Sequence, residues 1–200
     1  MFGPAKKMSL TTLGPKAHMF SCGVSDDLYH IDHLEKEDLD EINSFVCKIE
    51  SVRDFGMPNH VIHDAEAAVE LLGFKRMKKA KTSTGFNVAG DNVQFCVHDD
   101  NDANHSTVVV LKKGHVCTEG DDVVAYFCFP RLGLAVPMRP GDTITFNSQE
   151  LHCLSSRTQE SDIIYGMAIY MKSKVAGGND NSISNGAFVQ CLSEEYGEGT

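Results

Sequence analysis

A succession of short apolar or β-branched segments fills the chain after residue 80, and this pattern restricts the fold more than any other feature. The segments cover residues 86–89, 93–97, 107–111, 123–129, 134–136, 143–146 and 163–171. Gly, Pro, Asn or Asp stand between most of them, and no helical pattern interrupts them. Several strands at such spacing indicate a sandwich or a barrel. We therefore predict a mainly β protein with flanking helices, built as a jelly roll behind an N-terminal helical segment.

Two helices are predicted ahead of the strands. Apolar residues recur at helical spacing among acidic ones over 35–50, namely Leu39, Ile42, Phe45, Val46 and Ile49. A second helix is predicted over 64–72, with Asp64 as its N-cap and Gly73 as its stop. The predicted organisation is an irregular leader at 1–25 and one domain at 26–175, followed by a flexible tail at 176–200. Within the domain, the helical front covers 35–73 and the jelly-roll core covers 80–172.

Composition excludes several classes of protein. The net charge of -10 argues against extensive contact with nucleic acid phosphates. No apolar run approaches the roughly 18 residues that a membrane helix needs. Seven cysteines without a C-x-x-C motif are typical of a reducing compartment, and Cys96, Cys117 and Cys128 are predicted to be small buried hydrophobes. We expect a cytoplasmic location, with organellar targeting by the acid-free first 25 residues as the alternative. The composition does not indicate an oligomeric state.

Three residues form a candidate ligand set for a metal. His98 and Asp100 lie two positions apart, so on an extended segment their side chains project to the same face. His152 follows several predicted strands later, after the turn Pro140-Gly141-Asp142. Two imidazoles and one carboxylate form the facial triad of non-haem Fe(II) sites, which leaves positions open for oxygen and a co-substrate.

Other histidines compete for this role. His30 with Asp32 and His33, and His60 with His63 and Asp64, both precede the strand-rich region. We interpret the first group as a surface or helix-entry segment and the second as a loop leading to a helix cap. His105 and His115 are predicted on strand ends or turns, exposed to solvent.

Residues 86–171 resemble the core of the Fe(II)/2-oxoglutarate-dependent dioxygenases. The matching segments are His98-Asp99-Asp100-Asn101-Asp102, the strand at 107–111, the stretch 127–136 and the block from Arg139-Pro140-Gly141-Asp142 to His152. They are similar to the branch that includes prolyl hydroxylases and thymine and methylcytosine oxidases. The resemblance implies a double-stranded β-helix in which His98, Asp100 and His152 bind Fe(II).

The resemblance also implies an activity. Oxidative decarboxylation of 2-oxoglutarate to succinate and carbon dioxide would be coupled to hydroxylation of a protein side chain, a modified base or a small metabolite. The implied partners are dioxygen and the small-molecule co-substrate, with ascorbate as a candidate reductant.

The basic residue that would hold the 2-oxo acid is the point at which the chain departs from the family. At the position expected for that residue, beyond the last histidine, this chain has Asp162. Arg157 is our first candidate for this role and Lys113 the second. The alternative to an enzyme is a non-catalytic, cupin-like jelly-roll module, in which His98 and His152 would be ordinary polar residues at strand ends.

Overall fold

The computed structural model describes residues 18–23, 29–30, 35–71, 76–90, 95–100, 102–116, 118, 120–159 and 161–172. The two helices are α1 (Lys36–Gly56) and α2 (Asn59–Leu71). The strands are β1 (His18–Gly23), β2 (Tyr29–His30), β3 (Gly85–Gly90), β4 (Phe95–His98), β5 (Asp102–Lys112), β6 (Ala125–Phe129), β7 (Leu134–Met138), β8 (Thr143–Asn147), β9 (His152–Leu154) and β10 (Ile164–Lys172). Neither described helix has the length and apolar character needed to cross a membrane. The predicted tail at 176–200 lies outside the described residues.

Eight strands form a double-stranded β-helix. β6 pairs with β7, β5 with β8, β4 with β9 and β3 with β10, all antiparallel, so the pairs are nested like those of one long hairpin. Successive pairs alternate between two sheets, with orders β2-β1-β3-β10-β5-β8 and β4-β9-β6-β7. A long hairpin wound in this way is a jelly roll. The predicted fold class, mainly β with flanking helices, is confirmed.

The main core lies between the two sheets. Along β6 the side chains of Ala125, Phe127 and Phe129 are buried, whereas Tyr126 is exposed and Cys128 is partly exposed. This alternation is the two-residue period of a strand with one face on the core. The buried residues of this core are Ala89, Val110, Val124, Ala125, Phe127, Phe129, Met138, Phe146, Leu154 and Ile164.

The helices pack on the outer face of the larger sheet. In α1, Ile42, Val46 and Ile49 are buried in a second core together with residues of β1, β3, β5 and β10. In α2, Ala65 and Val69 pack with Ala103 and Met171. The larger sheet is therefore covered on both faces, by the helices on its outer face and by the smaller sheet on its inner face.

A buried carboxylate joins α1 to the segment that enters β3. Glu50, which is 2% exposed, accepts hydrogen bonds from the backbone N–H groups of Lys81, Thr82 and Ser83 at 2.8, 3.1 and 2.9 Å. The Ser83 hydroxyl donates to the same carboxylate at 2.7 Å. Asp54, one turn further along the helix, accepts from Lys81 Nζ at 2.7 Å. These contacts satisfy three backbone donors that belong to no strand.

The turn before β8 has the predicted geometry. Gly141 has a φ of 91°, which the absence of a Cβ permits. The Gly141 N–H donates to the Val110 carbonyl at 2.7 Å, and Asp142 accepts from the Arg139 N–H at 2.7 Å. The turn therefore starts β8 beside β5, in the register that leads on to His152.

Four sequence predictions are wrong in their details. The leader predicted at 1–25 is not irregular throughout, because residues 18–23 form β1 along the edge of β3 and bury Cys22. Asp64 lies inside α2 and is not its N-cap, since the helix starts just after Pro58, whose carbonyl accepts from Val61 and Ile62. For the same reason His60 and His63 lie on the helix and not on a loop that leads to it.

The other two corrections concern burial on strands. His105 lies within β5 on a partly buried face and is not an exposed strand end. Cys96 is exposed and Cys128 partly exposed, because both lie on the outer face of the smaller sheet. An apolar neighbourhood in the sequence does not distinguish the two faces of a strand. Cys117 lies outside the described residues.

Candidate metal centre

His98 and His152 come from neighbouring strands and are Cα partners in the pairing of β4 with β9. Asp100 lies two residues beyond the end of β4, and its backbone N–H donates to the Ser148 carbonyl at 2.9 Å. This bond ties the segment after β4 to the turn between β8 and β9. The backbone therefore brings the three side chains to one end of the β-helix.

The ligand atoms of the three side chains form a compact group. His98 Nε2 lies 3.8 Å from Asp100 Oδ1, and His152 Nε2 lies 3.6 Å from Asp100 Oδ2. All three ligand atoms are within 4.8 Å of one another. Within the described part of the chain, this is the one group of three His, Cys, Asp or Glu side chains close enough to hold a common ion.

Backbone carbonyls set the tautomer of both histidines. His98 Nδ1 lies 2.7 Å from the carbonyl of Cys96, and His152 Nδ1 lies 2.8 Å from the carbonyl of Glu150. Since a carbonyl can only accept, each Nδ1 carries the proton. In the neutral imidazole, Nε2 then presents a lone pair to Asp100. Three acceptor groups thus converge on one point, an arrangement that needs a proton or a cation between them. Hydrogen bonds of this kind orient metal-binding histidines.

The surroundings of the triad are apolar on one side and open on the other. The ring of Phe127 stacks on His152 with centroids 5.6 Å apart and an interplanar angle of 12°. The ring of Phe146 meets it edge-on at 4.6 Å. His152 is buried, whereas the side chain of Asp100 is 38% exposed. An ion held here would have a dry wall behind it and access from solvent in front.

Asp100 and His152 each stabilise the charged form of the other side chain. Burial raises the pKa of Asp100, but the hydrogen bond with His152 and the nearby imidazoles outweigh it, so the pKa is lowered from its ordinary value. Burial lowers the pKa of His152, and the hydrogen bonds to Asp100 and the Glu150 carbonyl reverse this and raise it.

A second polar group lies next to the triad. Asp102, which is 4% exposed, pairs with Lys172 Nζ at 3.1 Å and accepts from the Ser106 hydroxyl at 3.3 Å. Burial raises the pKa of Asp102 to about 6, even though the Lys172 charge lowers it. The pairing of β5 with β10 shifts register between Ile169 and Met171, and such bulges re-aim side chains near active sites. Lys172 therefore places a cation beside the triad.

Lys172 is not among the basic residues that the sequence predicts for the site. Lys172 follows directly after the segment predicted at 163–171, so the sequence places it at the end of a strand. The sequence does not show which strand this segment pairs with, and therefore does not show which residues lie beside Lys172. The observed register sets Lys172 opposite Asp102, two residues from Asp100.

The structure does not bring Arg157 or Lys113 to the triad. Arg157 Nη1 donates to the Asp162 carbonyl at 2.7 Å, and the Asp162 carboxylate pairs with Lys112 Nζ at 2.7 Å. Lys112 is at the end of β5, six residues beyond Ser106, a span of about 20 Å at the rise of a strand. Lys113 is exposed and follows Lys112. Both candidate bases thus lie toward the opposite end of the β-helix.

The competing histidines also lie apart from the triad. His60 and His63 are exposed on α2. His115 pairs with Asp121 through a contact of 2.8 Å. Asp32 and His33 lie outside the described residues. Of the candidate histidines in the part of the chain that the structure describes, only His98 and His152 share one carboxylate in a group of three ligand side chains.

Comparisons with known proteins give structural matches only. The chain matches no protein-family model and no curated protein sequence. NgTET1 in complex with 5mC DNA is 13% identical, with 77% of this chain and 60% of that chain covered and a TM-score of 0.47. The chain thus spans less than two thirds of the NgTET1 chain.

Two further solved structures are similar over parts of the chain. A prolyl-4-hydroxylase from Pseudomonas putida is 14% identical, with 81% of this chain and 74% of that chain covered and a TM-score of 0.41. An RmlC-like cupin protein from Desulfovibrio desulfuricans is 15% identical, with 43% and 70% covered and a TM-score of 0.31.

Proposed function

We propose that this protein is an Fe(II)-dependent dioxygenase that couples oxidative decarboxylation of 2-oxoglutarate to hydroxylation of a second substrate. The observation that carries the proposal is the convergence of His98, Asp100 and His152, whose ligand atoms lie within 4.8 Å of one another. Two neutral imidazoles and a carboxylate on one side of an ion match the facial triad of non-haem Fe(II) oxygenases.

The residues present fit such an ion. Both Nε2 atoms are directed at Asp100, and both Nδ1 atoms are held by backbone carbonyls. A divalent cation placed among them would bind the lone pairs of all three acceptor groups and remove the repulsion between them. When bound, Fe(II) supplies the redox chemistry that activates dioxygen and decarboxylates the 2-oxo acid, and the protein supplies orientation and electrostatics.

The chain's own residues have separable roles in this proposal. His98, Asp100 and His152 would hold the metal. Phe127 and Phe146 pack against His152, which keeps the ring in place and excludes water from its buried side.

Lys172 takes the role for which Arg157 and Lys113 were the sequence candidates, namely binding the distal carboxylate of the 2-oxo acid. Its charge lies beside the triad, and Asp102 serves as its counterion in the absence of ligand. The substrate to be hydroxylated would be a protein side chain, a modified base or a small metabolite, with dioxygen as the second co-substrate and ascorbate as a candidate reductant. We also propose that the protein belongs to the branch that includes prolyl hydroxylases and thymine and methylcytosine oxidases.

An anaerobic titration tests the proposal. Fe(II) and 2-oxoglutarate are added to the full chain in the absence of oxygen, and the weak visible charge-transfer absorption of the chelate is recorded. We expect the absorption to develop with one equivalent of each and to be lost in His98→Ala and in His152→Ala. His60→Ala, which removes an exposed histidine of α2, is the matched control and should retain it.

The alternative is a cupin-like binding module without turnover. Absence of the absorption in the folded wild-type chain, with folding confirmed by circular dichroism, would favour that module. Formation of the absorption without succinate production after oxygen is admitted would separate metal and 2-oxoglutarate binding from catalysis, and would overturn the dioxygenase assignment if no candidate substrate restored turnover.

A further inference from the structure

Three cysteines lie on adjacent strands of the smaller sheet, on the face opposite the core. Cys96 is on β4, Cys153 on β9 and Cys128 on β6, and these strands are neighbours in the order β4-β9-β6-β7. Cys96 is exposed, and the other two are partly exposed. None of the three forms a disulfide in this structure. We refer to Cys96, Cys153 and Cys128 as the thiol row.

Two members of the thiol row face each other directly. Cys128 and Cys153 are Cα partners in the antiparallel pairing of β6 with β9, so both side chains project to the same face. The Ser155 N–H donates to the Tyr126 carbonyl at 2.9 Å, which makes Tyr126 and Ser155 a hydrogen-bonded pair. Since pair types alternate along the ladder, Cys128 and Cys153 are again such a pair.

The spacing of that pair suits a covalent bond. The Cα atoms of a hydrogen-bonded antiparallel pair lie about 5.5 Å apart, and disulfides most often join Cα atoms about 5.5–6 Å apart. Burial raises the pKa of the Cys153 thiol, and the neighbouring Cys128 thiol raises it further, as expected of two sulfur atoms that lie close together. The Cβ atoms of directly opposite residues lie about 4.5–5.5 Å apart, and a disulfide brings them to about 3.8 Å. A bond between the two thiols therefore needs rotation of the side chains and a small approach of the two strands, and such strain makes a disulfide easier to reduce.

We propose that Cys128 and Cys153 are a redox-sensitive dithiol that forms a reversible intramolecular disulfide when a peroxide is present. One thiol is oxidised by hydrogen peroxide to a sulfenic acid, with release of one water. The sulfur of the second thiol then attacks the sulfenic sulfur, the S–O bond breaks, and a second water leaves with the thiol proton. In total, two thiols and one peroxide give one disulfide and two waters. A small dithiol reverses the reaction by thiol–disulfide exchange.

Cys96 is the competing partner, but its position is less favourable. The pairing of β4 with β9 shifts register between Phe95 and His98, so Cys96 and Val97 together oppose the single residue Cys153. Neither of them is a direct partner of Cys153. Of the other described cysteines, Cys22 is buried and Cys47 lies on α1, where its Sγ donates to the Lys79 carbonyl at 3.4 Å.

The proposal does not depend on the metal. The two cysteines lie on the outer face of the sheet, whereas His152, the neighbour of Cys153, projects to the inner face. The disulfide would close across strands that are already paired, so the oxidised chain should keep its fold.

The full chain, reduced and then freed of reductant, is treated with hydrogen peroxide in the presence of a metal chelator, at low protein concentration. Non-reducing tryptic digestion followed by mass spectrometry locates the products. We expect loss of two of the seven thiols, and a peptide pair joining Cys128 to Cys153 that disappears after treatment with dithiothreitol. Cys128→Ser and Cys153→Ser should each abolish the pair, whereas Cys47→Ser and Cys96→Ser should retain it. Because Cys117 and Cys128 share one tryptic peptide, the Cys128→Ser variant also identifies which of them reacts.

The same digestion can overturn the proposal. A peptide pair joining Cys96 to Cys153 that also forms in Cys128→Ser would show that Cys96, and not Cys128, is the partner of Cys153. Sulfinic acid at Cys128 with no crosslink, or a crosslink found only between chains on a non-reducing gel, would show that the two thiols do not act together. Far-ultraviolet circular dichroism of each variant, matched to wild type, ensures that a lost crosslink reports chemistry and not misfolding.

Discussion

His98 and His152 are cross-strand partners, and their rings lie 4.4 Å apart between centroids. The distance between the two imidazoles is therefore set by the ladder between β4 and β9, not by a loop. The carboxylate comes from the segment just after β4, which the Ser148 carbonyl holds in place. Sites built on paired strands are more precisely positioned than sites on loops. The proposed ion would therefore meet two Nε2 atoms whose spacing is already set by the strands.

The first prediction concerns the carboxylate between the histidines. Asp100→Asn should weaken binding of Co(II), used as an air-stable substitute for Fe(II), by more than about 100-fold, because loss of a ligand exceeds the effect of losing a supporting hydrogen bond. Isothermal titration calorimetry measures the change. Asp99→Asn is the matched control, since Asp99 is exposed and adjacent, and it should bind Co(II) within a few-fold of wild type. Equal affinities of the two variants would remove Asp100 from the site.

The second prediction concerns Lys172. Lys172→Met keeps much of the apolar stem but removes the cation that pairs with Asp102 at 3.1 Å. If Lys172 binds the distal carboxylate of 2-oxoglutarate, the loss of one charge-assisted contact should weaken binding by at least about tenfold. The concentration of 2-oxoglutarate needed for half of the visible absorption measures this.

Arg157→Met is the control for Lys172, because its guanidinium donates to the Asp162 carbonyl at the other end of the β-helix. It should leave the 2-oxoglutarate requirement unchanged. The opposite result, with Arg157→Met impaired and Lys172→Met normal, would restore the base chosen from the sequence.

The sequence predicts the strands of the jelly roll well because most of them are apolar segments bounded by turn residues. β9 is missed as a strand, since three residues are too few to show a period. The turn that precedes it nevertheless points to His152, which the structure groups with His98 and Asp100. Lys172 is missed because its neighbourhood depends on the pairing of β10 with β5. Cys96 and Cys128 are assigned to the wrong face, since hydrophobic runs do not reveal which side of a sheet is covered. Local pattern thus predicts the elements and the candidate ligands, whereas the strand register decides which residues lie beside them.

The third prediction concerns the attachment of α1 to the sheet. Glu50→Gln replaces a carboxylate that accepts from three backbone N–H groups with an amide whose NH₂ is a donor. A donor facing donors in a buried site loses hydrogen bonds to a charged group, so the free energy of unfolding should fall by about 2 kcal/mol or more. Urea denaturation at neutral pH measures it. Glu41→Gln, an exposed change on the same helix, should alter the free energy by less than about 0.5 kcal/mol. Similar losses in both variants would show that the buried contacts do not stabilise the fold.

The last prediction is a pH dependence that arises from Asp54. Burial raises the pKa of this carboxyl, but hydrogen bonds from Lys81 and Arg53 outweigh burial and lower the pKa from its ordinary value. A carboxyl with a lowered folded-state pKa stabilises the fold above its unfolded-state pKa, and this contribution is lost as the pH falls through the folded-state value. Asp54→Asn should therefore reduce the free energy of unfolding at neutral pH by up to about 1 kcal/mol, since Lys81 is largely exposed.

On acidification the difference between wild type and Asp54→Asn should shrink, because wild type loses the contribution that the variant lacks. Urea denaturation at a series of pH values from about 7 to about 3 measures this difference. Asp40→Asn, an exposed change on α1, is the control and should show little difference at any pH. A difference for Asp54→Asn that stayed constant or grew toward acid would contradict the lowered pKa, and would mean that Asp54 acts through packing and not through its charge.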